Sequence, residues 1–174
     1  MKKLILTIAI AGAALSLKAQ TIDDASTLIK TGNAAPAVSF TDATNKTTSL
    51  ADYKGKLILL NFFATWCPPC RAELPRVQKE IWERYKDNPR FALLAFDREE
   101  GYDKLTPFKQ SNNYTFTMLP DLGRNVYKQF ATQYIPRNVL IDENGKVIYQ
   151  SIGYSEKDFN ELLNLLEAHL KSKS

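Results

Sequence analysis

One histidine and two cysteines are all that the 174 residues offer of the side chains that most often hold transition metals. A structural zinc site takes about four such ligands, so Cys67, Cys70 and His169 fall short of one and no metal is expected. No apolar run reaches the ~20 residues that span a bilayer as a helix. Internal repeats and low-complexity tracts are absent too, which excludes a solenoid or a chain disordered throughout. Beyond the first 19 residues, charge of neither sign dominates. Without Lys2, Lys3 and Lys18 the formal charge falls from +4 to +1, which gives no electrostatic reason to bind nucleic acid or a membrane surface. What remains, 44% hydrophobic and 24% charged, suits one globular domain with a proper core.

The N-terminus runs Met1-Lys2-Lys3, then 14 apolar or neutral residues from Leu4 to Leu17, then Lys18-Ala19-Gln20. A positive start, a short apolar stretch and a small residue form the pattern of a secretory signal, cut after Ala19. An uncleaved anchor is the competing reading, and no cysteine follows the apolar stretch to accept a lipid. The expected division is a signal peptide over 1–19, a loosely held lead-in over 20–35 and one domain over 36–174. Export to the periplasm or another extracytoplasmic space matters chemically, because disulfides form and persist there. A dithiol enzyme in that setting needs an oxidant or a supply of electrons.

The two cysteines stand three apart in Asn61-Phe62-Phe63-Ala64-Thr65-Trp66-Cys67-Pro68-Pro69-Cys70. Leu57 to Phe63 is apolar except for Asn61 and reads as a strand buried on both faces. Cys70, Leu74, Val77 and Ile81 then recur at helical spacing, so the second cysteine faces inward. Cys67 falls just ahead of that helix, where free amides and the positive end of the dipole favour a thiolate. That makes it the candidate nucleophile. A structural disulfide would close only a tiny loop and constrain the unfolded chain little. Two inert cysteines would not need this setting, so the redox reading is favoured.

Around this centre the chain alternates strands and helices. Val38 to Phe40 and Thr47 to Leu50 flank a turn-rich segment and read as a hairpin. The first helix should run from the cysteines to about Lys86, with a kink at Arg71 to Leu74 caused by Pro75. Phe91 to Phe96 reads as a second buried strand, residues 102–113 as a short helix, and Thr115 to Leu119 as a short strand. Asn125 to Tyr134 reads as a helix. Asn138 to Asp142 and Lys146 to Ile152 flank Asn144-Gly145, a hairpin signal. Phe159, Leu162, Leu163, Leu166 and Leu170 share one face of a closing amphipathic helix. An α/β sandwich follows. Trp82, Tyr85 and Phe91 read as packing aromatics, His169 as inert and partly exposed, and Lys171 and Lys173 as a solvated tail.

These residues resemble the thioredoxin superfamily, and within it the exported TlpA/ResA-like thiol:disulfide oxidoreductases, from about Pro36 to Leu170. The resemblance rests on Gly55-Lys56, Leu60 to Arg71, Glu73-Leu74-Pro75, Ile135-Pro136 before Val139 to Asp142, and Gly145-Lys146. It implies an α/β thioredoxin-like three-layer sandwich, a central mixed sheet flanked by helices, with an N-terminal hairpin and a central insertion at about Arg98 to Leu119. It also implies a cis bond between Ile135 and Pro136, opposite the cysteines, where the Ile135 backbone can meet an extended substrate. The plain alternative is a trans proline opening a strand. Where ordinary thioredoxins bury an aspartate this chain has Asn61, which carries no titratable proton. The family pattern assigns that role to Glu73, which can accept the Cys70 proton if burial raises its pKa. An exposed glutamate that merely complements the helix dipole is the competing reading. Phe63, where tryptophan is frequent, and Arg137, where a small polar residue is usual, are expected to reshape the partner surface.

The implied cycle has Cys67 attack a disulfide and Cys70 resolve the mixed disulfide, without metal or cofactor. Pro68 and Pro69 have no N–H to stabilise the thiolate, which suggests a reductase nearer the ~ −270 mV of thioredoxin than the ~ −120 mV of strong oxidants. Partners would be disulfide-bearing exported proteins, with apocytochrome c the family's best-known class, and a membrane thiol donor of electrons. Trp66 and Pro68 would shape the docking surface, although Trp66 also fits plain packing, and a monomer is expected. An oxidase or isomerase using the same site, a peroxiredoxin-like peroxidase and a redox-silent binding module are the alternatives. The Pro-x-x-x-Thr-x-x-Cys context of a peroxidase is absent before Cys67.

Overall fold

The computed structural model describes residues 25–171, so the expected signal and its cleavage site lie outside the described residues, as does Lys173. Among the described residues seven strands and four α-helices follow in order: β1 Ser39–Thr41, β2 Thr47–Ser49, β3 Leu57–Phe63, α1 Pro68–Arg76, α2 Glu83–Tyr85, β4 Phe91–Asp97, α3 Tyr102–Ser111, β5 Thr117–Pro120, β6 Arg137–Ile141, β7 Val147–Ile152 and α4 Glu156–Lys171. The main sheet has the order β5-β4-β3-β6-β7. Its β3, β4 and β5 run parallel, and β6 and β7 are antiparallel additions. Every residue of β3 and β4 is buried, as their apolar runs, interrupted only by Asn61 and ended by Asp97, require.

Alternation along the strands sorts side chains onto two faces. Leu57, Leu59, Phe63, Leu93 and Ala95 join Cys70, Leu74, Ile81, Leu105, Phe159 and Leu166 in a core beneath the helices. Ile58, Leu60, Phe62, Leu94 and Phe96 face the hairpin residue Phe40 and the segment from Val126 to Ala131. The architecture is the α/β thioredoxin-like sandwich, a mixed sheet flanked by helices, with the β1–β2 hairpin ahead of it. The expected insertion supplies α3 and most of β5, the strand that extends the sheet beyond β4. No helix among the described residues is long and apolar enough to cross a membrane.

Three elements differ from the sequence expectation. The first helix is irregular after Pro75 rather than at Arg71 to Leu74: Val77–Trp82 is a π-helical stretch before α2. Its Val77 N–H is shared between the Glu73 and Leu74 carbonyls, and Glu83 N–H reaches back to Gln78. Bonds widened to five residues absorb the disturbance on the C-terminal side of the proline. Asn125 to Tyr134 contains only a 3₁₀ turn at Tyr127–Gln129. The buried Asp121 carboxylate accepts from Val126 N and Tyr127 N, while Ala131 and Thr132 are drawn into pairing with Thr27 and Ser26. That same pairing corrects the loosely held lead-in. Over residues 25–35 it is tied down, with bridges Thr27 to Ala131 and Ala34 to Lys146 and with Ser26 and Thr27 buried.

Candidate active site

β3 delivers the chain to the end of α1, and the two cysteines stand where strand becomes helix. Cys67 has extended backbone and caps α1, while Pro68 and Pro69 occupy the first helical positions, where a missing N–H costs the helix nothing. The first N–H past the prolines, that of Cys70, points at the Cys67 Sγ at 3.3 Å. Cys67 and Cys70 form a disulfide, with Cys67 3% exposed and Cys70 fully buried. Arg76 holds α1 against α4: it pairs with Glu80 and Glu156, and its guanidinium lies 4.2 Å over the Phe159 ring.

On the other side of the cysteines the Ile135–Pro136 peptide bond is cis, and the Ile135 carbonyl oxygen lies 3.9 Å from the Cys67 Sγ. Tyr134 has a positive φ of 70°, and its carbonyl is fixed by the Tyr127 hydroxyl at 2.8 Å. Trp66 and Tyr134 are each 55% exposed, and Pro68 and Pro69 are exposed as well. An uncharged aromatic and prolyl rim therefore borders a nearly covered sulfur.

Glu73 lies one helical turn after Cys70 on the buried face, 1% exposed, so it is not the solvated glutamate of the competing reading. Its Oε1 accepts from Asn138 Nδ2 at 2.6 Å and its Oε2 from Asn61 Nδ2 at 2.9 Å. Asn61 Nδ2 also donates to Asn138 Oδ1, and Asn138 Nδ2 approaches Ser151 Oγ. Burial opposes the charge and the two amide donors favour it; burial wins, and the carboxyl is pushed up to about 7. A carboxyl so poised can exchange protons near neutral pH.

Two residues expected at the partner surface are elsewhere. Phe63 is fully buried, stacked on Phe108 with ring centroids 6.1 Å apart. Arg137 is also fully buried, and it donates to Thr27 Oγ1, Ser26 Oγ and the Gln133 carbonyl. Both belong to strands whose two faces are covered, so neither can greet a partner. Sequence reasoning missed Asn138, although its place two residues after Pro136 in β6 puts it on the cysteine side of the sheet. From sequence, Asp97 to Gly101 reads as a charged loop bordering the crevice, with no role for Asp97 or Glu100 singly; Asp97 is instead the last residue of β4, and the setting of both carboxyls is tertiary. Among the described residues no three metal-ligating side chains gather.

The redoxin family model matches residues 30–166. The thiol-disulfide oxidoreductase ResA of Bacillus thuringiensis is 33% identical over 140 residues, 80% of this chain and 76% of the relative. The thioredoxin-like protein YneN of Bacillus subtilis is 31% identical over 139 residues, 79% of this chain and 81% of the relative. A solution structure from Bacteroides thetaiotaomicron, described as a protein disulfide isomerase, superposes with a TM-score of 0.80 at 34% identity, over 84% of this chain and 93% of that one. With the Cys67–Cys70 pair at disulfide distance on this fold, the chain belongs to the redoxin family, among the TlpA/ResA-like thiol:disulfide oxidoreductases of the thioredoxin superfamily.

Proposed function

We propose that the protein is an exported reductase that returns disulfides in extracytoplasmic proteins to thiols. The observation that carries this reading is the sparse support of the Cys67 sulfur at the mouth of α1. A single backbone N–H reaches it, because the two prolines have none to give. A thiolate so weakly held leaves its disulfide less oxidising, toward the ~ −270 mV of thioredoxin rather than ~ −120 mV.

In the cycle, the Cys67 thiolate attacks one sulfur of a partner disulfide, and the partner's other sulfur leaves as a thiolate that takes a proton. Cys70 then gives its proton to Glu73 and attacks the Cys67 Sγ. The mixed disulfide breaks, the partner departs with two thiols, and the protein holds the Cys67–Cys70 bond. Two electrons have moved to the partner, and a membrane thiol donor would restore the dithiol. Trp66, Pro68, Ile135 and Pro136 would form the docking rim, with the Ile135 carbonyl offered to an extended partner segment. The export pattern over residues 1–19 and the exported class of the resemblance support the location.

Equilibration of the protein with glutathione redox buffers tests the direction. A potential well below the glutathione couple supports a reductase, and one above it reverses the assignment. The solved relative described as a disulfide isomerase favours a second reading, in which the same Cys67 attacks but the partner keeps its electrons. Recovery of activity by scrambled ribonuclease without net thiol consumption would select it.

A further inference from the structure

β4 ends on Asp97, which lies beside Phe63 in the register of the sheet, on the face that carries Ala95 and the cysteines. Asp97 is fully buried, and no well-formed hydrogen bond reaches either of its carboxylate oxygens; the nearby Glu100 backbone N–H favours the charged form, but by less than burial opposes it. A bare buried anion is strongly disfavoured, so the group keeps its proton and has that proton to donate. Burial, and next the neighbouring Glu100 charge, push the Asp97 carboxyl up to about 8.

Nearby cations do not relieve it. Arg98 places its guanidinium 5.2 Å over Tyr127, on the opposite face of the sheet, and it pairs with Glu99, as does Arg124. On the surrounding elements the titratable groups are Glu100 in the following loop, Cys67 and Cys70 at α1, Tyr102 on α3, and Asp121 after β5. The Asp121 carboxylate is engaged by Val126 N and Tyr127 N, and the Asp121 N–H donates to the Asp97 carbonyl at 2.7 Å. Glu100 has a definite task as well: its Oε2 accepts from Thr65 N at 2.8 Å and from Thr65 Oγ1 at 2.7 Å. Thr65 stands two residues before Cys67.

We propose that Asp97 keeps its proton and donates it to the Glu100 carboxylate, and that this proton-held contact fastens Thr65 and so positions the segment that carries Cys67. Asp97 is then a positioning residue for the redox pair. When the proton leaves, two adjacent carboxylates repel, Glu100 turns toward solvent, and Thr65 loses its acceptor. The consequence for catalysis rests on Cys67 being the attacking sulfur; the proton-held contact does not.

The test uses the oxidised full chain, in which neither cysteine titrates. Amide spectra recorded from about pH 6 to about pH 9.5 follow the Thr65 N–H, which senses its carboxylate acceptor. A shift of that signal with a midpoint near 8, kept in Glu73→Gln and absent in Asp97→Asn, is expected. No shift in the wild type, or the same shift in Asp97→Asn, overturns the contact. The carboxyl carbon of Asp97 in the wild type gives a reading that needs no variant: a midpoint in the ordinary carboxylate range overturns the proton-held contact. For positioning, the reduced protein is alkylated with iodoacetamide across the same range. The Cys67 rate profile should lose one inflection in Asp97→Asn, and an unchanged profile overturns the positioning role even if the contact stands.

Discussion

Replacing Glu73 by glutamine should change how stability depends on pH. The carboxyl is 1% exposed and its pKa rises from 4.5 to about 7, so it stays protonated in the folded protein where the unfolded chain has already released the proton. Between those two values the folded state binds more protons, and the wild type loses stability as pH rises. A tenfold difference in proton affinity corresponds to about 1.4 kcal/mol, so the loss approaches about 3 kcal/mol once both states are ionised. The amide of the variant cannot ionise and escapes this loss. It does exchange one acceptor for an N–H, and the Asn61 Oδ1, which lacks a donor in the wild-type network, can take that N–H if the Asn61 amide turns over. Any cost of that exchange is the same at every pH. Urea unfolding of oxidised wild type and Glu73→Gln, at about pH 4 and about pH 8.5, isolates the effect. The stability difference should move by about 3 kcal/mol in favour of the variant at the higher pH. Parallel curves would show that burial does not control this carboxyl and would remove Glu73 as the proton acceptor of the cycle.

Phe63→Ala opens a cavity under α1 and against Phe108, and should cost about 3–5 kcal/mol by chemical denaturation; a loss under about 1 kcal/mol would contradict its place in the core. Arg137→Ala removes donors to Thr27 and Ser26, so limited proteolysis should cut residues 25–35 far faster than in the wild type, with a stability loss of roughly 2 kcal/mol or more. An unchanged cleavage pattern would mean that Arg137 does not hold the lead-in. Trp66→Ala should alter stability by no more than about 0.5 kcal/mol, because the side chain is 55% exposed. It should slow exchange with a folded protein disulfide more than with a small-molecule disulfide, and equal slowing of both would assign Trp66 to packing.

Much of this layout is legible in the amino-acid sequence. The run Leu57 to Phe63, the cysteines and the helix behind them declare themselves through local pattern, as do the Asn144-Gly145 hairpin and the apolar stripe of α4. Their periodicity agrees with what tertiary packing asks of them. Asn125 to Tyr134 misled because its helical spacing competes with pairing to Ser26 and Thr27, more than a hundred residues away in sequence. Arg137 misled for the same reason. A charge beside a presumed docking loop reads as a surface feature until the lead-in is seen to cover it. The site divides in the same way: Cys67 and Cys70 follow from motif and spacing, Glu73 and Pro136 from the family resemblance, whereas Asn138 on Glu73 and Glu100 on Thr65 join segments with no common pattern.

The proposed cycle needs one sulfur to attack and the other to resolve. Reduced Cys70→Ser mixed with a disulfide-bearing protein such as insulin should accumulate a stable mixed disulfide through Cys67, reversed by dithiothreitol, while Cys67→Ser forms none and the wild type turns over without accumulation. Equal trapping by both variants, or trapping through Cys70 alone, would contradict the assignment of Cys67 as the nucleophile.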